Sequence, residues 1–193
     1  MANRSATGAA LTTWQIDPAH SSIEFSVKHM MMTTVRGRFK EFHGSLAADE
    51  EHPQGCCVDV EIRVASIDTG MPDRDAHLRS ADFFDVERYP VITFRSSRAE
   101  GDFAREGDRF RVFVELTIRD TTTEIVLDCV YQGRGQDPWG KERAGLSATA
   151  EIDRREWGLK WNQAIETGGV LVANRVKIEV EVQFVAEEAS GAA

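Results

Sequence analysis

The sequence contains few of the residues on which small disulfide-rich or metal-bound domains depend. Only three of its 193 residues are cysteines, and none shows the Cys-x-x-Cys spacing of a zinc or redox site. Cys56 and Cys57 are adjacent, whereas Cys129 lies far along the chain. We therefore expect reduced thiols, with neither a disulfide framework nor a metal site.

Long apolar runs are also missing. No stretch approaches the roughly 18 uninterrupted apolar residues of a membrane-spanning helix. The first residues, MANRSATGAALTTW, lack the apolar core of a secretion signal, so we expect a cytoplasmic protein without a membrane span. We expect one domain over residues 13–185, with flexible tails at 1–12 and 186–193, because these ends are small, polar and without periodicity.

The chain also lacks an excess of positive charge. It has 32 acidic and 23 basic residues, for a net charge of -9. Such a charge repels phosphate backbones and anionic membrane surfaces over the whole molecule. We therefore expect no nucleic acid partner.

Alternation of apolar and polar residues is the dominant pattern. Ile23, Phe25 and Val27 alternate with polar residues, as half-buried antiparallel strands require. The same period of two recurs in the ranges 58–64, 110–118, 125–131, 146–152 and 176–184. Helix signals are limited to Asp73–Ala81, with Asp73 as N-cap, and Met30–Thr34. The sequence thus predicts an all-β fold with one or two short helices.

Strand length favours a barrel of about eight strands over a sandwich, because several segments run to about ten residues. Small residues such as Ala144, Ala148 and Ala150 mix with bulky residues such as Phe25 and Phe94. This mixture leaves room for a ligand inside a barrel, but it also fills a tapering solid core. The pattern of residue sizes therefore does not distinguish a ligand cavity from a solid core.

Residues 74–94, RDAHLRSADFFDVERYPVITF, bring a histidine close to several carboxylates. Asp73, Asp75, His77 and Asp82 are the residue types of a metal or acid-base site. However, opposite charges within four residues are more typical of a braced corner. These pairs are Arg74 with Asp75, Arg79 with Asp82, and Asp85 with Arg88.

Other catalytic and metal motifs are not found. His20, His29 and His43 fit no metal-ligand spacing, and neither Ser21 nor Ser80 lies in a nucleophile elbow. We therefore expect no catalytic residues, no metal and no cofactor.

Several long segments resemble the YceI-like family of polyisoprenoid-binding, bacterial lipocalin-like proteins. They include HLRSADFFDVERYPVITF at 77–94 and DPWGKERAG at 137–145, and the likeness extends over nearly all of 14–185. The resemblance implies an eight-stranded antiparallel barrel whose elongated apolar cavity holds a long isoprenoid or fatty-acid-like chain. It implies no catalytic residues.

The expected function is therefore to carry or sequester a long apolar lipid, in isoprenoid transport or storage, without catalysis. One alternative is a small enzyme that acts on an isoprenoid or quinone-like substrate, with His77 and a carboxylate as acid-base pair. Another is an empty barrel that forms a homodimer through a strand edge. Phe83 and Phe84 are adjacent, so in extended geometry only one points inward and the other is free for a subunit contact.

The apolar strand faces, the aromatic residues and the Met30–Met32 cluster contain the candidate ligand contacts. Methionine is flexible enough to suit chains of varied shape, although a cluster under a loop is also ordinary gap filling. The candidates are Phe25, Val27, Met31, Phe39, Phe42, His77, Phe83, Phe94, Val112, Val114, Leu127, Leu146, Ala148, Trp161 and Ile178. Arg36, Arg38 and Arg74 are candidates to meet a charged head group.

Overall fold

The computed structural model describes residues 12–48, 57–164 and 170–187. These residues form eleven strands and one α-helix. The strands are β1 (Thr12–Ile16), β2 (Ser22–His29), β3 (Thr33–Phe39), β4 (Phe42–Ala48), β5 (Cys57–Arg63), β6 (Ile67–Asp68), β7 (Val91–Gly101), β8 (Arg109–Ile118), β9 (Thr121–Gln136), β10 (Glu142–Asp153) and β11 (Val172–Ala186). The helix is α1 (Pro72–Arg79), and short 3-10 turns occupy Pro18–His20, Val64–Ser66 and Arg154–Trp157.

Eight long strands close into a barrel. β1 and β2 pair one after the other with β11, Trp14 opposite Ala186 and His29 opposite Val172, and so act as one interrupted strand. β3 and β4 form the next interrupted strand, pairing with β2 and β1 respectively. β5, β7, β8, β9, β10 and β11 complete the ring, each antiparallel to its neighbour. The predicted eight-stranded antiparallel barrel is confirmed.

Alternation places the core inside the ring. In β11, Val176, Ile178 and Val180 face inward and line the interior, whereas Lys177 and Glu179 form an ion pair on the outer face. This matches the sequence pattern, because successive side chains of a strand point to opposite faces.

Phe113 of β8 breaks the alternation because it lies on the outer face. It is nevertheless only 8% exposed. The Arg98 guanidinium lies 3.4 Å from the centre of its ring, and the Arg111 guanidinium lies 5.7 Å away. A register shift in β7 between Ser96 and Arg98 accompanies this arrangement. The Phe113 side chain is therefore buried beneath two arginine side chains on the outer face of the barrel, not in the core.

The helices differ from the prediction in detail. α1 begins at Pro72, whose fixed φ suits a first helical position, and the N-cap is Met71 rather than Asp73. The helical turn predicted for Met30–Thr34 is wrong. Met30–Met32 instead form the tight turn between β2 and β3, with φ of 50° at Met30 and 57° at Met31.

The two ends of the barrel differ. We call the end that carries α1 and the β2–β3, β8–β9 and β10–β11 connections the helix end; the β7–β8 and β9–β10 connections lie at the opposite end. At the helix end β3 pairs with the two-residue β6, Arg38 opposite Asp68. Residues 64–90 therefore pack against this end and position α1 over the interior.

The strands extend slightly beyond the predicted domain. β1 begins at Thr12 and β11 ends at Ala186, one residue outside each bound of 13–185. Strand pairing continues to those residues, since Thr12 pairs with Ala48 and Trp14 with Ala186. Of the predicted tails, residues 1–11 and 188–193 lie outside the described part of the chain.

Candidate ligand-binding cavity

The barrel encloses a cavity of about 220 Å³. By the same measure one water molecule needs only about 10–15 Å³, so the space is much larger than a packing defect. The lining residues of β11 extend from Val172 to Phe184. That range covers about 40 Å along the strand, or about 30 Å along the barrel axis after a strand tilt of about 40°. The cavity is therefore long enough for an extended chain.

The cavity wall is apolar. All 31 lining residues are hydrophobic except Glu24 and Arg154. Glu24 is exposed to solvent, and Arg154 has its own hydrogen-bond partners. An apolar cavity of this kind stays dry and favours an apolar occupant. The full lining is Ile16, Ile23, Glu24, Phe25, Val27, Phe39, Val58, Val60, Ile62, Leu78, Phe83, Phe84, Ile92, Phe94, Val112, Leu116, Ile118, Ile125, Leu127, Cys129, Leu146, Ala148, Ile152, Arg154, Leu159, Val172, Val176, Ile178, Val180, Val182 and Phe184.

Aromatic side chains cap the cavity at the helix end. Phe83 and Phe84 follow α1 and both line the cavity, so the prediction that only one of them points inward is wrong. The reason is that residues 81–84 form turns rather than extended strand. The His77 ring packs edge-on against Phe83, with centroids 5.1 Å apart, and against Trp161, at 4.6 Å. Helix α1 is thereby joined to the β10–β11 connection.

Hydrogen bonds brace the corner that carries this cap. The buried Asp75 carboxylate accepts bonds from the Thr69 backbone N–H at 2.9 Å and the Thr69 hydroxyl at 2.6 Å. Arg74 donates to the same hydroxyl at 2.7 Å and to the Thr69 carbonyl at 2.8 Å. Arg79 donates to the carbonyls of Ala65 and Ile67. These contacts give the acidic and basic residues of the corner structural roles.

Of the ion pairs predicted for this corner, Asp85 and Arg88 come within 3.7 Å of each other. Asp82 lies 2.9 Å from His77 Nε2 instead of pairing with the arginine proposed for it. The corner is thus held mainly by bonds to the main chain, which the sequence pattern did not specify.

Arg154 holds the β10–β11 connection from beneath. Its side chain is 4% exposed, and burial lowers the pKa of its guanidinium. It donates to the carbonyls of Ala173 at 3.0 Å, Trp161 at 2.9 Å and Leu159. The first part of the connection and the start of β11 are therefore fixed to one side chain.

The opposite end is tied together by a second arginine. Arg143 donates to the Asp17 carboxylate at 2.6 Å and to the Asp137 carboxylate at 2.8 Å. Arg143 and His20 lower the pKa of Asp17 to about 2. Asp137 also accepts the backbone N–H groups of Trp139 and Lys141. This explains the DPWGKERAG segment: its Asp shapes the turn and its Arg links the turn to the β1–β2 connection.

Most of the candidate contacts lie on the cavity wall. These ten are Phe25, Val27, Phe39, Phe83, Phe94, Val112, Leu127, Leu146, Ala148 and Ile178. Phe42 and Val114 are buried in the surrounding core without lining the cavity. His77 and Trp161 pack beside Phe83 in the cap. Met31 does not reach the cavity, because it is 70% exposed at the tip of the β2–β3 turn.

Many other wall residues were not among the candidates, although they belong to the same alternating apolar faces of the strands. Leu116, Ile118 and Ile125 continue the inward faces of β8 and β9, and Val180 and Val182 do the same in β11. Choosing complete inward faces instead of single residues would have included them. Cys129 is also on the wall, and burial raises the pKa of its thiol to about 12.

The candidate head-group arginines lie elsewhere. Arg36 and Arg38 are exposed on β3, where Arg38 approaches Asp68 at 3.6 Å. Arg74 is committed to Thr69. Among the residues that the structure describes, no three His, Cys, Asp or Glu side chains are grouped to hold a metal ion. His20 contacts Asp17, and His43 contacts Glu61.

The comparisons with known proteins place this barrel in a family. Residues 14–184 match the model of the YceI-like domain. The chain belongs to the YceI-like family. It is 36% identical to a UPF0312 protein of Photorhabdus laumondii over 157 residues, 80% of each chain. It is 35% identical to Protein YceI of Escherichia coli O157:H7 over 158 residues, 81% of each chain.

Several solved structures have a fold similar to this one. A Campylobacter jejuni YCEI protein superposes with a TM-score of 0.70 at 27% identity, over 83% of this chain and 90% of that one. A polyisoprenoid binding domain from Saccharophagus degradans superposes with a TM-score of 0.68 at 16% identity, over 90% of this chain and 98% of that one. The family predicted from the sequence is confirmed.

Within the described residues, no helix has the length and apolarity needed to cross a membrane.

Proposed function

We propose that this protein binds a long apolar chain, of the polyisoprenoid or fatty-acid-like class, in its barrel cavity and carries or sequesters it without catalysis. The observation that carries the proposal is the apolar cavity that extends from Val172 to Phe184 along β11. The Saccharophagus degradans domain, whose fold is similar, is described as polyisoprenoid binding. That description supports the class of ligand.

The apolar wall determines how such a ligand binds. Burying ten methylene groups contributes about 8 kcal/mol at about 0.8 kcal/mol each. The loss of translational and rotational freedom on binding costs an estimated 4 kcal/mol or more. A chain with more than ten buried methylene groups is therefore needed for micromolar affinity or better. Of the two polar lining residues in the described part of the chain, Arg154 is already hydrogen-bonded and Glu24 is exposed to solvent, and burying an unpaired head group is costly. The tail therefore occupies the cavity, and any polar head stays outside it.

Native mass spectrometry of protein purified from cells tests the proposal. We expect a co-purifying apolar compound, and displacement of the fluorescent probe cis-parinaric acid by geranylgeraniol in titrations. A protein that is consistently empty after gentle purification and does not bind either probe would refute the proposal.

A second candidate function rests on the contact between His77 Nε2 and Asp82 Oδ2, at 2.9 Å. A histidine paired with a carboxylate is a common acid-base arrangement, and this one is next to the cavity residue Phe83. An enzyme acting on an isoprenoid or quinone-like substrate would lose turnover by orders of magnitude in His77→Ala. Turnover that is unchanged in His77→Ala eliminates this assignment.

The predicted homodimer remains a prediction. Sedimentation equilibrium of the purified protein checks it. A mass that stays at that of one chain over a wide concentration range counts against it.

A further inference from the structure

The helix end carries an unusual concentration of exposed apolar side chains. Among the described residues, six large hydrophobic side chains are exposed: Met31, Met32, Met71, Val126, Trp139 and Val170. Four of the six lie at the helix end, where the cavity cap is also located. Met31 and Met32 are the most exposed of these four, at 70% and 76%.

The backbone conformation of the β2–β3 turn is unusual for methionine. Met30 and Met31 both have positive φ, a conformation that glycine and asparagine adopt more easily than methionine. The turn therefore has apolar residues at positions where its geometry alone would favour Gly or Asn. Solvation does not explain that choice either, because two exposed methionines gain nothing from water.

The turn is continuous with the cavity. Val27 of β2 lines the cavity and lies four residues before Met31 in the chain. The Met30 N–H donates to the Leu171 carbonyl at 2.9 Å, so the turn lies against the final arm of the β10–β11 connection. That arm contains exposed Val170 and, two residues later, the lining residue Val172. Exposed apolar groups therefore lead directly to the end of the cavity.

The local charge differs from that of the whole protein. Residues 28–38, KHMMMTTVRGR, contain Lys28, Arg36 and Arg38 and no carboxylate, although the chain as a whole has a net charge of -9. Lys28 and Arg36 are exposed. Screening limits the reach of charges to about 8–10 Å in physiological salt, so at a contact the nearest cations outweigh distant carboxylates.

We infer that the β2–β3 turn docks the barrel on the surface of a bilayer that contains anionic lipids, with Met31 and Met32 inserted between the head groups. Lys28 and Arg36 face the anionic phosphates beside the inserted turn. The inference rests on the proposed function, because a lipid carrier must receive its ligand from a membrane or return it to one. A chain can then pass between the bilayer and the cavity with little exposure to water.

The shape of the turn favours a lipid surface over a protein partner. Stable protein interfaces bury about 800 Å² on each partner, on surfaces that fit closely. A three-residue turn is narrow and projecting, so it offers much less area than that. Apolar residues flanked by cations suit a bilayer, whose acyl boundary accepts apolar groups and whose phosphates attract Lys and Arg.

Flotation with vesicles of phosphatidylcholine and phosphatidylglycerol tests the inference. The double variant Met31→Asn, Met32→Ser keeps the turn, since Asn tolerates positive φ, but removes its apolar groups. We expect its vesicle partition coefficient to fall by about tenfold or more. The double variant Lys28→Gln, Arg36→Gln should bind these vesicles about tenfold more weakly. It should bind vesicles of pure phosphatidylcholine as strongly as the unchanged protein does.

The matched control is Trp139→Ser, which removes a side chain that is 82% exposed at the opposite end. It should leave vesicle binding unchanged. Binding of cis-parinaric acid without vesicles separates the two proposals, because all of these variants should retain it. The inference is overturned if the unchanged protein does not float, if Trp139→Ser loses as much binding as the methionine variant, or if a photo-crosslinker at position 31 captures a protein in cells instead of lipid.

Discussion

The substitution Ala148→Trp tests whether the cavity is the binding site. Ala148 is 2% exposed, faces inward on β10 and lies between Cys129 of β9 and Val180 of β11. An indole at this position projects into the cavity and occupies space that the ligand needs. The neighbouring Thr149 is exposed on the outer face of the same strand, so Thr149→Trp is a matched control.

The size of the effect follows from the displaced ligand. If the roughly nine extra atoms of the indole displace about five methylene groups, the lost binding free energy is about 4 kcal/mol. That corresponds to a Kd increase of about a thousandfold. Adding bulk to a filled core usually costs about 1–3 kcal/mol of stability, but an empty cavity accommodates the ring at lower cost. We therefore expect a stable variant that does not bind.

Fluorescence titration with cis-parinaric acid measures the affinity, and urea denaturation measures the free energy of unfolding. Thr149→Trp should retain the original affinity. If Ala148→Trp is folded and binds the probe as tightly as the unchanged protein, the ligand does not occupy this cavity and the reasoning is refuted.

Three further predictions concern stability and reactivity. Arg154→Met leaves buried carbonyls without donors, so it should lower the free energy of unfolding by about 3 kcal/mol or more in urea titrations. The control Arg155→Met removes an exposed ion pair and should lower it by less than about 1 kcal/mol. Because the pKa of Asp17 is depressed to about 2 in the folded protein, its stabilising contribution is complete above about pH 5 and disappears as the pH falls toward 2. Asp17→Asn should therefore flatten this part of the stability profile, and an unchanged slope between pH 4 and 2 would contradict it. With Cys56 and Cys57 replaced by alanine, Cys129 should react with Ellman's reagent at pH 8 only after unfolding, since its thiol pKa is about 12.

The fold was predictable because strand alternation is a local property. Inward residues such as Val176, Ile178 and Val180 are two positions apart, and any barrel that buries them must use that face. The interruption of the first two long strands was less visible. The first interruption lies at Asp17, whose partner Arg143 is distant in the sequence. The second lies at Lys40 and Glu41, whose backbone N–H groups donate to the Ser66 hydroxyl.

The site was predictable only where strands form it. Phe25 and Ala148 lie on regular strands, so their direction followed from the period of two. Phe84 and Met31 lie in turns, where the direction of a side chain depends on backbone angles and not on spacing. Phe42 and Val114 are inward and buried, but whether a buried residue touches the cavity depends on how its neighbours fill the space around it.

The closure of the barrel has a consequence for biosynthesis. β11 pairs with β10, β1 and β2, and it comes after all of these strands in the chain. A ribosome must therefore release β11 before the ring can close, and the cavity does not exist during most of translation. Pairing between such distant segments is also slow compared with local folding. Under the proposed function, a lipid that is present while the nascent protein folds can be enclosed as the ring closes, so the first ligand need not enter through the finished wall.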